Sequence, residues 1–111
     1  MKEGDVVLTA IPQADGQVKN RPALFLREMP LFGDALVCGI SSQLHQQVEG
    51  FDDLISRDDD DFLLSGLVQD SVIRLGFLAL IPQNKIIGSI GTISQTRRKR
   101  LLKNLSDYLT K

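Results

Sequence analysis

The length of its apolar runs constrains this chain more than any other feature. Asp5 to Ile11 (DVVLTAI), Arg21 to Glu28 (RPALFLRE), Ala35 to Ser42 (ALVCGISS) and Ser71 to Ile81 (SVIRLGFLALI) are too short for long buried helices, and Gly, Pro, Asn and Asp separate them. Runs of this kind read as strands. Ala35 to Ser42 suits burial on both faces. Phe51 to Ile55 (FDDLI) is a candidate short strand, and KIIGSIG, beginning at Lys85, reads as a last short strand or strand pair. Gly76 marks a candidate bulge in the longest run. Pro22 has no N–H to give a ladder and is expected at the start of its strand. Asp15-Gly16 signals a turn inside a polar loop from Pro12 to Asn20, and Pro30 to Asp34 signals another.

Only the tail has a different period. In SQTRRKRLLKNLSDYL, Leu101, Leu102, Leu105, Tyr108 and Leu109 fall on one helical face, with Ser94 as N-cap. Five to seven strands and one C-terminal helix predict a mainly β protein, a small barrel whose open end the helix covers. A length of 111 residues suits one domain over residues 1–111, and no repeat or low-complexity linker divides it.

A net charge of −1 with 42% hydrophobic residues argues against disorder and against generic coating of nucleic acid, so any polyanion site is local. One cysteine and one histidine exclude an internal disulfide and a structural zinc site. Cys38, inside ALVCGI, reads as a buried, inert thiol. No Gly-rich phosphate loop, H-E-x-x-H or nucleophile elbow is present, and no cofactor is implied. His45 follows Ser41 by four residues but has no acid placed to orient it, which weighs against a Ser–His nucleophile. No segment approaches the roughly 20 apolar residues of a membrane span, and MKEGDVVL holds no apolar signal region, so a cytoplasmic protein without membrane contact is expected.

Two charge clusters each admit two readings. Asp58 to Asp61 is either a divalent-cation site or a solvated loop; the loop is favoured, because consecutive carboxylates point apart and the spacing is not that of an EF-hand. Arg97 to Arg100 either contacts RNA phosphates or forms the wet face of the helix, which is favoured. A cationic first turn opposes the helix dipole and leaves some weight for binding. Phe32 is the one candidate for base stacking, against the simpler reading of an apolar loop anchor.

Arg21 and the pair Ser41-Ser42 carry more chemistry. They mark the start of one strand and the end of another, ends that adjoin if the strands are antiparallel neighbours. A guanidinium beside a hydroxyl is a compact oxyanion site. Such a site nearly suffices for RNA cleavage, where the nucleophile is the substrate's own 2′-OH and the protein need only orient it and stabilise charge on phosphorus. Arginine is too weak a base for more than an electrostatic or proton-donating role. The same residues fit a structural Arg–carboxylate pair with two turn serines, and from the residues alone that structural reading is favoured.

In order, and at compatible spacings over nearly the whole chain, four stretches resemble the MazF/PemK family of toxin endoribonucleases: GDVVL (Gly4 to Leu8), RPALFL, CGISSQL (Cys38 to Leu44) and SGLVQDSVI (Ser65 to Ile73), the last followed by IGTIS ending at Ser94. The resemblance implies an SH3-like barrel of the MazF/CcdB type, usually a homodimer. It implies metal-independent cleavage of single-stranded RNA to 2′,3′-cyclic phosphate and 5′-hydroxyl ends. It also implies growth inhibition, relieved by a partly disordered antitoxin that occupies the RNA groove. Arg21 falls on the family's catalytic arginine and Ser41 on a position usually held by a catalytic threonine. Lys19, Ser42, Gln43 and Arg74 are the expected substrate-binding residues, with the loop from Pro12 to Asn20 gating the groove. The chain departs from the family after DSVI, where RLGFLALI replaces a segment resembling xxQIRT and lacks its glutamine and second arginine. The alternatives are a CcdB-like toxin that binds a protein, DNA gyrase, and a catalytically dead barrel retained for binding.

Overall fold

The computed structural model describes residues 1–12 and 15–111. The apolar runs become strands β1 (Asp5–Pro12), β2 (Val18–Glu28), β3 (Ala35–Ser41), β4 (Asp53–Ile55), β5 (Ser71–Ile81) and β6 (Ile86–Thr92). They form one antiparallel sheet of six strands in the order β4-β5-β3-β2-β1-β6. Both faces of the sheet are buried at its centre. Leu24, Leu26, Cys38, Ile73 and Leu75 face a core shared with Leu101 and Leu105 of the C-terminal helix α2 (Gln95–Leu109). Ala23, Phe25, Val37 and Ile86 face a second core made only of strand residues. A sheet that packs one face against itself must curl, which gives the barrel-like, mainly β architecture expected. Each large aliphatic side chain buried in these cores stabilises the fold by about 1.5–3 kcal/mol.

β2 starts earlier than the apolar run suggested. Lys19 pairs with Ile11 and Asn20 with Ala10, yet both residues are exposed, so this end of the hairpin has no apolar signal. Pro22 therefore lies inside the strand, opposite Leu8, rather than at its start. It is tolerated because the β2–β3 ladder stops at Ala23 and Gly39, leaving Pro22 on an edge where no N–H is required. The missing donor also lets β2 and β3 part beyond that point.

A short helix, α1 (Phe62–Ser65), was not anticipated. It ends at Gly66, which has φ +74° and lies so close to Ile90 of β6 that a Cβ would clash with the Ile90 carbonyl. This pins the following segment, Leu67 to Gln69, beside the sheet. In α2, Ser94 is the N-cap, its Oγ accepting from the Arg97 N–H at 3.1 Å. The buried line of the helix is Arg97, Leu101 and Leu105, while Tyr108 and Leu109, expected inside, are exposed, Tyr108 resting against Phe51 with ring centroids 5.2 Å apart.

The acidic run and the basic run, read separately as solvated surface, meet instead. Arg97 is buried, and all five of its N–H donors are used. They reach Asp61 at 2.9 and 3.0 Å, Asp53 at 3.2 Å, Asp59 at 3.0 Å and the Leu54 carbonyl at 2.9 Å. Arg100 adds a 2.6 Å bond to Asp53. Burial alone would raise the Asp61 carboxyl, but hydrogen bonds from Arg97 and from the Ser94 N–H, with the charge of Arg97, hold it at about 2. The wet-face reading survives for exposed Lys99 and fails for Arg97. Glu3 bridges Arg98 and Arg27 in a second, smaller pairing.

Candidate functional site

On β2, residues 21, 23 and 25 share a face, the one turned to the all-strand core. The β2–β3 ladder ends where Ala23 pairs with Gly39; Arg21 lies two residues before Ala23 on β2 and Ser41 two residues after Gly39 on β3, so both flank the mouth where the strands part. On the other side of β3, Gly39 pairs with Arg74 of β5. Antiparallel pairing thus gathers Arg21, Ser41 and Arg74 around Gly39. They line an open groove of about 470 Å³, where Ser42 and Gln43 join them from beyond the end of β3. Among the described residues, no lining side chain is acidic.

The Ser41 hydroxyl accepts a hydrogen bond from the Gln43 N–H at 3.0 Å. With its oxygen engaged as acceptor, the hydroxyl hydrogen is left to donate. Two guanidiniums, a donating hydroxyl and nearby amides are the functional groups that grip a phosphodiester.

β5 shapes the floor. Between Arg74, paired with Gly39, and Leu78, paired with Cys38, three residues have no partner on β3: Leu75, Gly76 and Phe77. This is the irregularity that Gly76 signalled, wider than a single-residue bulge. The buried Asp52 carboxylate compensates by accepting the Leu75 N–H through Oδ1 and the Val48 N–H through Oδ2, both at 2.9 Å. The loop carries Phe77 back over Gly39. A Cβ on residue 39 would lie 3.2 Å from the phenyl ring, so glycine lets the ring rest against the β3 backbone. Phe77 remains 38% exposed and lines the groove.

Five of the six site residues expected from the sequence, Arg21, Ser41, Ser42, Gln43 and Arg74, line this groove. Lys19 does not; it is exposed on β2 two positions before Arg21 and on the same face. Of the expected gating loop, residues 13 and 14 lie outside the described residues; Asp15 and Gly16 form a turn in which the Asp15 side chain accepts from the Gln17 N–H. Phe32 sits in the β2–β3 turn, at the far end of both strands from Arg21 and Ser41, so Phe77 and not Phe32 is the aromatic of the site. Asp52 was also missed; its signal is one buried carboxylate serving two backbone donors, which no local motif announces. Cys38 is buried, and loss of solvation, with the Asp52 charge second, pushes its thiol far up.

The model of the PemK-like, MazF-like toxin of type II toxin-antitoxin system family matches residues 2–109. No curated protein matches the chain. Among the described residues, no helix is long and apolar enough to cross a membrane.

Proposed function

The chain belongs to the family of PemK-like, MazF-like toxins of type II toxin-antitoxin systems, with an antitoxin as its partner, and we propose that it is a metal-independent endoribonuclease acting on single-stranded RNA. The observation that carries this reading is that Arg21 and Ser41, far apart along the chain, line one groove with Arg74 and no acidic side chain among the described residues. The 2′-OH of the substrate attacks the adjacent phosphorus, the 5′-oxygen departs, and the products carry 2′,3′-cyclic phosphate and 5′-OH ends. Arg21 stabilises the extra charge on the phosphorane. Ser41, its oxygen already accepting from the Gln43 N–H, donates to a non-bridging oxygen. Arg74, Ser42 and Gln43 hold the flanking backbone, and Lys19 meets a phosphate outside the groove. The chain works in the cytoplasm as a homodimer, and the antitoxin inhibits it by occupying the groove.

The test is incubation of the purified chain with a long unstructured RNA in EDTA, followed by identification of the fragment ends. Cyclic phosphate and 5′-OH ends are expected. Arg21→Ala is expected to lose cleavage by at least about a hundredfold while staying folded by circular dichroism. Arg74→Ala is expected to raise KM about tenfold with a smaller change in kcat, as loss of a charged phosphate contact does. A folded Arg21→Ala protein that cuts at the unaltered rate eliminates the reading, and growth arrest without RNA fragments points to protein binding instead.

A further inference from the structure

We propose that Phe77 is a seat for one unpaired nucleobase, and that this seat decides which nucleotide lies next to the phosphate held by Arg21 and Arg74. The inference rests on the ribonuclease reading of the groove. It is carried by the stretch in which the chain departs from its family, RLGFLALI. There the three-residue excursion of β5 turns a phenyl ring into the groove and lays it against the bare backbone of Gly39. One side of the ring is thereby supported, and 38% of the residue stays open. Gly39 is also the residue paired with Arg74, so ring and arginine both belong to the stretch of β5 beside Gly39, and both side chains line the groove. An aromatic face beside a cation, in a groove with no acidic lining among the described residues, suits a base stacked next to its own phosphate.

The groove also holds amides able to read a base edge. Gln46 lies in the short helical turn Leu44–Gln46, and Gln69 in the segment that α1 and Gly66 pin beside the sheet. An amide offers one donor and one acceptor side, the pattern that pairs with the edge of an adenine or another base. Phe77 supplies sequence-tolerant affinity, and Gln46 and Gln69 supply the preference.

The seat is tested on the unaltered protein first. A short RNA carrying 2′-deoxy sugar at the cleavage position binds without being cut, and abasic residues are placed in it one position at a time. One abasic position next to the scissile phosphate is expected to weaken binding about tenfold to a hundredfold, and the others much less. Phe77→Ala is expected to lose the same factor on the intact RNA and nothing further on that abasic RNA, while Phe77→Tyr retains binding. Gln69→Ala is expected to change the base found at cut sites in a randomised RNA. Uniform sensitivity to abasic positions, or Phe77→Leu binding as tightly as the unaltered chain, overturns the seat even if cleavage proceeds. Position-specific binding without cleavage of the all-ribose RNA sustains the seat and overturns the nuclease reading.

Discussion

Arg97 and Arg21 are the same side chain in opposed surroundings. Arg97, on the first turn of α2, is buried and gives its N–H donors to Asp53, Asp59, Asp61 and a carbonyl. Arg21, on β2, is exposed in a groove that it shares with Arg74 and that has no acidic lining among the described residues. Each has a serine nearby whose Oγ accepts a backbone N–H: Ser94 from Arg97, Ser41 from Gln43. What separates a structural site from a candidate catalytic one is thus not residue type. It is enclosure: Arg97 is buried together with its carboxylates, whereas Arg21 lies on an open groove that a phosphate can enter.

The sharpest way to break this contrast is Arg97→Ala. Removing the cation leaves Asp61 buried without its main partner, and Asp53 with Arg100 alone, a change that costs about 3–5 kcal/mol. A fall in melting temperature of more than about 10 °C is expected by calorimetry or circular dichroism. A shift of only a degree or two means that the network is surface decoration, and the contrast with the groove dissolves.

Acid provides the next largest effect. The folded Asp61 carboxyl is held at about 2, below its ordinary value of 3.8. A carboxyl depressed in the folded state contributes stability above its unfolded pKa and loses that contribution as pH falls through the folded one. On the order of 2 kcal/mol should therefore disappear as pH drops from roughly 4 to roughly 2. Urea midpoints taken at pH 6, 4 and 3 test this: little change over the first interval and a clear fall over the second.

These two regions were unequally legible in the sequence. The groove was partly readable because its logic is local: β2 and β3 are consecutive antiparallel strands, so Arg21 before Ala23 and Ser41 after Gly39 fall at the same end of the pair, although β2 begins at Val18 and not at Arg21. The fold was readable for the same reason, and Ser71–Ile81 and the Ser94 cap needed only period and capping chemistry. The Arg97 network was not readable. Asp61 and Arg97 lie on separate elements, and each charge run taken alone has the composition of solvated surface. Phe77 escaped because RLGFLALI drew attention to the charges it lacks, whereas the side chain's direction depends on an excursion whose width follows from Asp52 and Gly39. Phe32 drew attention by lying in a loop, although loop position says nothing about which end of a hairpin carries the site.

The smallest effects on stability give the finest comparison, because they set serine against serine. Ser94→Ala removes the N-cap of α2 and should cost about 1 kcal/mol. It leaves cleavage untouched, since Ser94 touches only the helix and Asp61. Ser41→Ala removes an acceptor in a solvated turn and should change stability by less than about 0.5 kcal/mol. Under the proposed mechanism its effect belongs to kcat, because the lost hydroxyl hydrogen is the one that would donate to the phosphate, and Ser41→Thr should restore the rate with a narrower choice of rotamers. Paired melting curves and single-turnover rates decide the matter. If Ser41→Ala melts early and cuts normally, its hydroxyl is a turn residue like that of Ser94, and Arg21 and Arg74 hold the phosphate without it.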